Sequence, residues 1–352
     1  MANNSYTFNS KQIFLSLLVI SVTVGFLNIG LDKLMSLIDS NYGIAKSLSS
    51  SSLPNDSNIK VLFMGDSRTH QGVDPRLFDA YINQKKASYN LGRPGMQGPF
   101  YFFILNNLLI HTHTKPKAIF IQLSYYLLGG MDWFKDIYQA YYSPTLSEVI
   151  EASEEKLLSF QEAIKWYIIT KIPSIKFRKK LQGIRENLCE GTLLKSIANT
   201  LRTYEAINHQ SNRGYMSRGF SHITPEEAKA AQIKKCPLTI HYGYSMYLNF
   251  IKRFFELAAE NGIYVIFYQF PYANETDTAE LRECLSHYTA IIKDLAKNNN
   301  FIIFNEAAKF YDYTHFVDPL HLNHVGTIRL TKELAQIYQA LIPSQKDMGA
   351  TA

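Results

Sequence analysis

The stretch "VLFMGDSRTHQGVDP" (61–75) decides the fold of this 352-residue chain. Four apolar residues run directly into Gly65, Asp66 and Ser67, and a polar segment follows. A short apolar run that ends at a glycine is typical of a strand buried on both faces of a parallel sheet. We therefore expect Ser67 at the carboxyl end of a strand, where ligands bind in open parallel sheets. The alternative is that Ser67 only caps the helix that follows.

Strand-like and helix-like patterns alternate on both sides of a long central segment. A short strand opens the segment 87–98, further strands are predicted at 117–128, 262–272 and 301–307, and helices at 99–111, 244–261, 280–300 and 324–341. This alternation predicts an α/β fold with a mostly parallel sheet and helices on both faces. Residues 131–240 break the rhythm, and we interpret them as a helical insertion over one end of the sheet.

The N-terminal region contains 20 uncharged residues between Lys11 and Asp32. A helix of this length spans roughly 30 Å, the thickness of a bilayer's hydrocarbon core. No small-x-small cleavage site follows it, and the run is apolar on all faces, so a signal peptide and a buried amphipathic helix are weaker interpretations. We predict a tail and transmembrane anchor at 1–42, a serine-rich linker at 43–58 and a folded domain at 59–345.

Lysines lie on both sides of this apolar run, which leaves the membrane orientation open. Lys11 precedes the run, whereas Lys33 and Lys46 follow it. Because orientation follows the excess of Lys and Arg on one side, these positions do not decide it.

Composition narrows the class of protein. Hydrophobic residues make up 46% and charged residues 19% of the chain, which is typical of a globular protein. The net charge of +6 is mild, and no nucleic-acid-binding motif is present, so nucleic acid is not expected as a partner. Three cysteines, Cys189, Cys236 and Cys284, form no CxxC motif, so no disulfide framework is expected, although one pair could still bridge.

A second polar motif, "FVDPLHLNHVG" (316–326), precedes the last predicted helix. Asp318 lies three residues before His321, close enough to accept a hydrogen bond from one ring nitrogen and leave the other for Ser67. The alternatives are a helix-capping aspartate with a surface histidine, or a metal site that includes His324. These spacings are not diagnostic of a metal, so neither a metal nor a cofactor is expected.

Three short motifs together resemble sequence blocks of the SGNH/GDSL hydrolase superfamily. They are "GDSR" (65–68), "NLGRPG" (90–95) and "DPLHLN" (318–323), in the family's order. The resemblance covers roughly 59–130 and 262–341, and it implies a flavodoxin-like three-layer SGNH fold.

The resemblance also implies roles for individual residues. Ser67 resembles the nucleophile, His321 the base and Asp318 the acid that orients it. Gly95, in the glycine-rich turn, resembles a backbone donor of the oxyanion hole, where backbone N–H groups near Ser67 also contribute. Asp66 resembles a residue that stabilises the loop.

One block of the family is missing. The expected Gly-x-Asn-Asp is replaced by "QLSYYLLGG" (122–130), so either Ser124 or Tyr125 supplies the missing oxyanion donor, or the oxyanion hole has only two donors. Asn90 could hydrogen-bond the nucleophile loop. Arg68 and His70 lie close enough in sequence to Ser67 to contact an anionic or acyl substrate.

An anchor, a linker and this core together resemble membrane-anchored SGNH-like proteins of the bacterial cell envelope, such as those of D-alanylation and alginate O-acetylation. This resemblance implies a single-pass protein of the cell membrane with an extracytoplasmic catalytic domain. It implies an esterase or O-acyltransferase that forms an acyl-enzyme on an acylated glycan or lipid, beside a membrane-bound O-acyltransferase. The alternative is a non-catalytic accessory protein that binds a glycan or such an acyltransferase.

Overall fold

A five-stranded parallel sheet lies at the centre of the structure, which is a computed structural model. The structure describes residues 14–15, 18–19, 22–31, 58–94, 96, 98–112, 115–124, 145–172, 189–191, 213–230, 242–297, 299–305 and 309–341. The strands are β1 Val61–Met64, β2 Ser88–Asn90, β3 Ala118–Ile121, β4 Tyr264–Tyr268, β5 Tyr272–Ala273, β6 Ile302–Asn305, β7 Phe310–Tyr311, β8 Phe316–Asp318 and β9 His321–Leu322. The predicted α/β class with a parallel sheet is confirmed.

The order of strands in the central sheet is β2-β1-β3-β4-β6, and every neighbouring pair is parallel. This order is that of flavodoxin-like doubly wound sheets, with the first strand next to the point where the order reverses. Two small two-stranded sheets, β5-β7 and β8-β9, lie outside it. The topology therefore places the carboxyl end of β1, and the residues that follow it, at the position where ligands bind in such folds.

The helices pack on both faces of this sheet. They are α1 Ser67–Gly72, α2 Pro75–Tyr81, α3 Gly98–Asn107, α4 Leu146–Glu154, α5 Phe160–Lys171, α6 Pro225–Ala230, α7 Tyr242–Glu260, α8 Ala279–Ala296 and α9 His324–Leu341. Successive strand side chains point to opposite faces, so Leu62 joins the core beneath α3 and α7, whereas Phe63 joins the core beneath α2 and α9. Strands covered in this way on both faces require the continuous apolar runs seen in the sequence.

The range 131–240 is helical in part. Within its described residues, α4 and α5 pack against α3, where the rings of Trp166 and Phe103 lie 5.4 Å apart, and α6 follows later. Residues 213–224, here called the strap, contain neither helix nor strand. Four main-chain hydrogen bonds join the strap to the core: Asn90 N to Arg213 O (3.0 Å), Met216 N to His70 O (3.2 Å), His324 N to Gly219 O (2.7 Å) and Ile223 N to Phe316 O (3.1 Å).

The predicted anchor is described only in part. Residues 22–31 form a helix whose apolar side chains are largely exposed, including Phe26 and Leu27. Among the residues that the structure describes, no helix has the length and apolarity needed to cross a membrane. The predicted linker lies outside the described residues except for Asn58.

Candidate active site

The turn after β1 presents Ser67 as the first residue of α1. Asp66 caps this helix, and its Oδ1 accepts a hydrogen bond of 2.9 Å from the main-chain N–H of Arg68. Aspartate is a preferred cap because its carboxylate satisfies an N–H that has no partner within the helix. The Asp-Ser sequence thus ends a buried strand, begins a helix and leaves the Ser67 side chain partly exposed.

The structure brings together three side chains from opposite ends of the chain. Ser67 Oγ lies 2.8 Å from His321 Nε2, and His321 Nδ1 lies 2.8 Å and 2.9 Å from the two carboxylate oxygens of Asp318. The geometry is that of a serine nucleophile, a base and an orienting acid, in which His321 can take the Ser67 proton. Both ring nitrogens of His321 are engaged in this arrangement.

A tight turn between β8 and β9 holds Asp318 in place. Its Oδ1 also accepts main-chain hydrogen bonds from Leu320 (2.9 Å) and His321 (3.0 Å). Partial burial by itself raises the pKa of Asp318, but the hydrogen bonds and positive charge of His321 and the Leu320 N–H outweigh it, so the pKa lies below its ordinary value. Asp318 is therefore ionised at neutral pH and can stabilise a protonated His321.

Arg68 and Ser124, two of the predicted substrate-contacting residues, are placed elsewhere than expected. Arg68 is 2% exposed, and its Nη2 lies 3.2 Å from Asp66 Oδ2 in a buried ion pair. The Ser124 hydroxyl is hydrogen-bonded to both members of this pair. The charges of Asp66 and Arg68 neutralise one another, and the Ser124 hydroxyl is bonded to both. Arg68 and Ser124 therefore support the nucleophile turn from beneath and do not line a substrate pocket in this structure.

The ion pair determines the charge of Asp66. Burial alone raises the pKa of Asp66, but the positive charge of Arg68 and the hydrogen bonds from Ser124 and Arg68 outweigh it, so the pKa lies below its ordinary value. The predicted loop-stabilising position of Asp66 agrees with these contacts.

A further layer of polar side chains lies behind the nucleophile turn. Gln122 Oε1 accepts from the Asp66 N–H and from the Thr69 hydroxyl, both at 3.3 Å, and the Thr69 hydroxyl lies 2.9 Å from that of Tyr268. The sequence analysis missed Gln122 and Tyr268. Both could have been found from the sequence, because each is a polar residue at the carboxyl end of a buried strand.

Asn90 ties α1 to the loop after β2. Its side-chain amide donates to the carbonyl oxygens of Thr69 (2.9 Å) and Val73 (2.8 Å), and its Oδ1 accepts from Gly92 N (2.8 Å). Asn90 is fully buried, and these hydrogen bonds hold the nucleophile helix against the loop after β2. Gly95, the predicted oxyanion donor, lies outside the described residues, as does Tyr125.

Arg218, on the strap, reaches the edge of the triad. Its Nε donates to Gln71 Oε1 (2.7 Å), and its Nη2 lies 3.9 Å from Asp318 Oδ2. The sequence analysis missed this residue because it belongs to a long insertion with no motif to connect it with Ser67 or His321. His70, the remaining sequence candidate, is fully buried on α1.

Comparison with known proteins identifies the family. Residues 32–336 match a protein family described as "Protein of unknown function (DUF1574)". The chain belongs to this family. No curated protein matches the chain.

The solved structures that match this chain share little sequence with it. A Bacteroides fragilis protein described provisionally as an acylhydrolase aligns over 84% of this chain and 94% of its own, with 13% identity and a TM-score of 0.37. A Streptococcus pneumoniae protein described provisionally as a platelet activating factor aligns over 90% and 98%, with 13% identity and a TM-score of 0.38. At these scores the likeness carries no argument about activity.

Proposed function

We propose that this DUF1574 member is an SGNH-type serine esterase or O-acyltransferase that acts on acyl esters of a cell-envelope glycan or lipid. One observation carries the proposal, namely the continuous contact from Ser67 Oγ through His321 to Asp318. Taken alone, each of these side chains could be explained as a helix cap or a surface residue. A serine, a histidine and a carboxylate in hydrogen-bonding sequence, at the carboxyl edge of a parallel sheet, form a constellation suited to acyl transfer.

The proposed reaction has two steps. Ser67 Oγ attacks the ester carbonyl while His321 Nε2 accepts its proton, and the resulting tetrahedral species collapses as His321 returns that proton to the leaving alcohol. The acyl group is then held as an ester on Ser67. In the second step His321 takes a proton from water or a glycan hydroxyl, which attacks the acyl carbonyl. His321 then returns that proton to Ser67 Oγ as the bond between Ser67 and the acyl group breaks, and an acid or a new ester is released. The Ser67 main-chain N–H, at the start of α1, can donate to the oxyanion.

We further propose that the protein is a single-pass protein of the cell membrane with its catalytic domain outside the cytoplasm. The uncharged segment between Lys11 and Asp32 and the exposed apolar side chains of residues 22–31 support an anchor. Cys284 is disulfide-bonded, which supports an oxidising compartment, since disulfides are rare in the cytosol.

A second candidate is a non-catalytic accessory protein that binds a glycan or a membrane-bound acyltransferase. The observation in its favour is the position of Ser124, whose hydroxyl is engaged by Asp66 and Arg68 and does not replace the oxyanion donor of the missing sequence block. A scaffold with a weakened oxyanion hole could retain binding without turnover.

Ester hydrolysis separates the two candidates. The full chain, purified in a nonionic detergent, is assayed with p-nitrophenyl acetate beside Ser67→Ala and a matched control, Ser147→Ala, which alters an exposed serine of α4. The esterase proposal predicts turnover that is lost in Ser67→Ala and kept in Ser147→Ala. Equal rates in all three proteins, or none above background in the folded wild type, would favour the accessory candidate.

Product analysis then distinguishes hydrolysis from transfer. With a soluble oligosaccharide added as acceptor, an acyltransferase produces the acylated sugar at the expense of free acetate, whereas an esterase produces acetate alone. Both products are resolved by mass spectrometry.

A further inference from the structure

Arg93 is a buried cation without a carboxylate partner. It is 8% exposed, and its main-chain N donates to Gly65 O (3.0 Å), which places it directly beside the nucleophile turn. Its Nη1 donates to the carbonyl oxygens of Asn90 (3.3 Å) and Gly92 (2.6 Å), and its Nε has no partner. A guanidinium does not lose its proton in proteins, so burial without an anion is costly.

The other arginines of the described chain differ from Arg93 in this respect. All seven lie within 3.9 Å of a carboxylate oxygen. Arg68, which is as deeply buried, is paired with Asp66 at 3.2 Å. Arg93 is thus the exception within the described residues, and its main chain lies against the nucleophile turn.

His70 is a second unpartnered polar group at this place. It lies one helical turn after Ser67 on α1, is fully buried, and neither of its ring nitrogens has a hydrogen-bond partner. Burial, followed by the positive charges of Arg93, Arg218 and His321, lowers the pKa of His70 well below its ordinary value. His70 is therefore neutral and lies within the influence of two guanidinium groups, with one ring N–H available to donate to an anion.

Three separate segments bring these groups together. The loop after β2 approaches α1 so closely that a methyl group on Gly92 would lie 2.7 Å from His70 N. The strap joins α1 through Met216 N, and its Arg218 remains about a third exposed at the solvent edge. We call the two arginines Arg93 and Arg218, together with the neutral His70, the cationic cluster.

Within the described residues, Asp318 offsets the charge of Arg218 alone and leaves Arg93 without a carboxylate. It is the one carboxylate within ion-pair range of any cluster member in the described part of the chain, at 3.9 Å from Arg218. Both of its oxygens already lie against His321. Arg93 therefore retains a positive charge that an anionic ligand would balance.

We propose that the cationic cluster binds an anionic group of the substrate, a carboxylate or a phosphate, next to the ester that Ser67 attacks. Guanidinium groups match both anions in shape and charge, and neutral His70 adds a hydrogen-bond donor. This inference rests on the proposed function, because it assigns the charge of the substrate to the same site.

The test compares an anionic ester with its neutral counterpart. For the full chain in nonionic detergent, kcat/KM is measured for 4-nitrophenyl adipate, which carries a free carboxylate, and for its methyl ester. The expected wild-type ratio favours the anionic ester roughly tenfold or more, the worth of a charge-assisted hydrogen bond. Arg93→Gln and Arg218→Gln should each bring the ratio towards one. A matched control, Arg282→Gln, removes an exposed arginine of α8 and should preserve it.

A wild-type ratio of one or less, or a ratio that neither variant changes, would overturn the proposal. Should Arg93→Gln fail to fold, Arg218→Gln decides alone, because that side chain lies at the surface.

A binding arm separates failure of this inference from failure of the proposed function. Thermal unfolding of Ser67→Ala is followed with added inorganic phosphate or glutarate at constant ionic strength, since a ligand of the folded state raises Tm. A rise in Tm that disappears in Ser67→Ala/Arg93→Gln supports the anion site even without any turnover. The anion that raises Tm more shows whether the site prefers a phosphate or a carboxylate. No rise with either anion contradicts the site even if esters are hydrolysed.

Discussion

The buried ion pair beneath the nucleophile allows a sharp prediction for Arg68→Met. Methionine keeps much of the side-chain volume but removes the charge, leaving Asp66, itself 3% exposed, without its cation. Two hydrogen bonds from the guanidinium to Asp66 are lost, at 3.2 and 3.3 Å, whereas the bond of 2.9 Å from the main-chain N–H of residue 68 remains. Breaking one side of such a pair costs about 3–5 kcal/mol, so we expect a loss of this size at pH 7.

The same variant should have an unusual pH dependence. In the wild type the pKa of Asp66 is lowered, so its contribution to stability is present above the ordinary aspartate pKa and is lost as the pH falls through the folded value. Without Arg68, burial is the leading influence and raises the pKa of Asp66. The penalty is then largest near neutral pH and shrinks on acidification, as Asp66 takes up a proton.

Urea unfolding followed by circular dichroism at pH 7 and pH 5 measures both effects. The double variant Asp66→Asn/Arg68→Met serves as the control, because it contains no buried carboxylate at this position and its loss should not depend on pH. A loss under about 1 kcal/mol for Arg68→Met at pH 7, the value of an exposed pair, would refute the reasoning. A loss that stays constant from pH 7 to pH 5 would refute it equally.

Further predictions concern the triad, the strap, Asn90 and the anchor. Asp318→Asn should lower kcat by roughly 10³–10⁴, through loss of the correct His321 tautomer, as measured by ester hydrolysis. Gly214 and Gly219 both have positive φ, +84° and +75°, but a Cβ on Gly214 would lie 2.0 Å from Asn90 O, whereas a Cβ on Gly219 would meet no atom within 4 Å. Gly214→Ala should therefore lower the free energy of unfolding by much more than Gly219→Ala does. Asn90→Leu removes three buried hydrogen bonds and should cost about 2–4 kcal/mol in urea unfolding. Deletion of residues 1–42 should move the protein from the membrane fraction to the supernatant on sedimentation; retention in the pellet would contradict the anchor.

The hydrophobic pattern of the sequence was sufficient to predict the strands and helices in which that pattern is strong. The run at 61–64 predicted β1, and the closing helix was predicted at 324–341, the bounds of α9. The strand predicted at 117–128 is shorter, because β3 ends at Ile121 and the side chain of Gln122 turns to the nucleophile loop. Periodicity reports which residues are apolar, and it does not show where polar side chains find partners.

The site was predictable where short motifs carry the chemistry. Ser67 and His321 could be paired because each lies beside a recognisable strand end or helix start. Arg68 was predicted to contact substrate because it follows Ser67 in the sequence, but that position does not show where its side chain points. In the structure the side chain pairs with Asp66, the residue before the nucleophile. Arg218 could not be found, because only the folded strap brings it to Asp318.

The most direct test of the central claim is covalent labelling of the nucleophile. The full chain is treated with a fluorophosphonate and digested, and the peptide that contains Ser67 is examined by mass spectrometry, with His321→Ala treated in parallel. We predict a phosphonyl adduct on Ser67 in the wild type and strongly slowed labelling in His321→Ala, because the base that takes the Ser67 proton lies 2.8 Å from it. An unmodified Ser67 in folded wild-type protein, or equal labelling rates in both, would contradict the assignment of this serine and histidine as a catalytic pair.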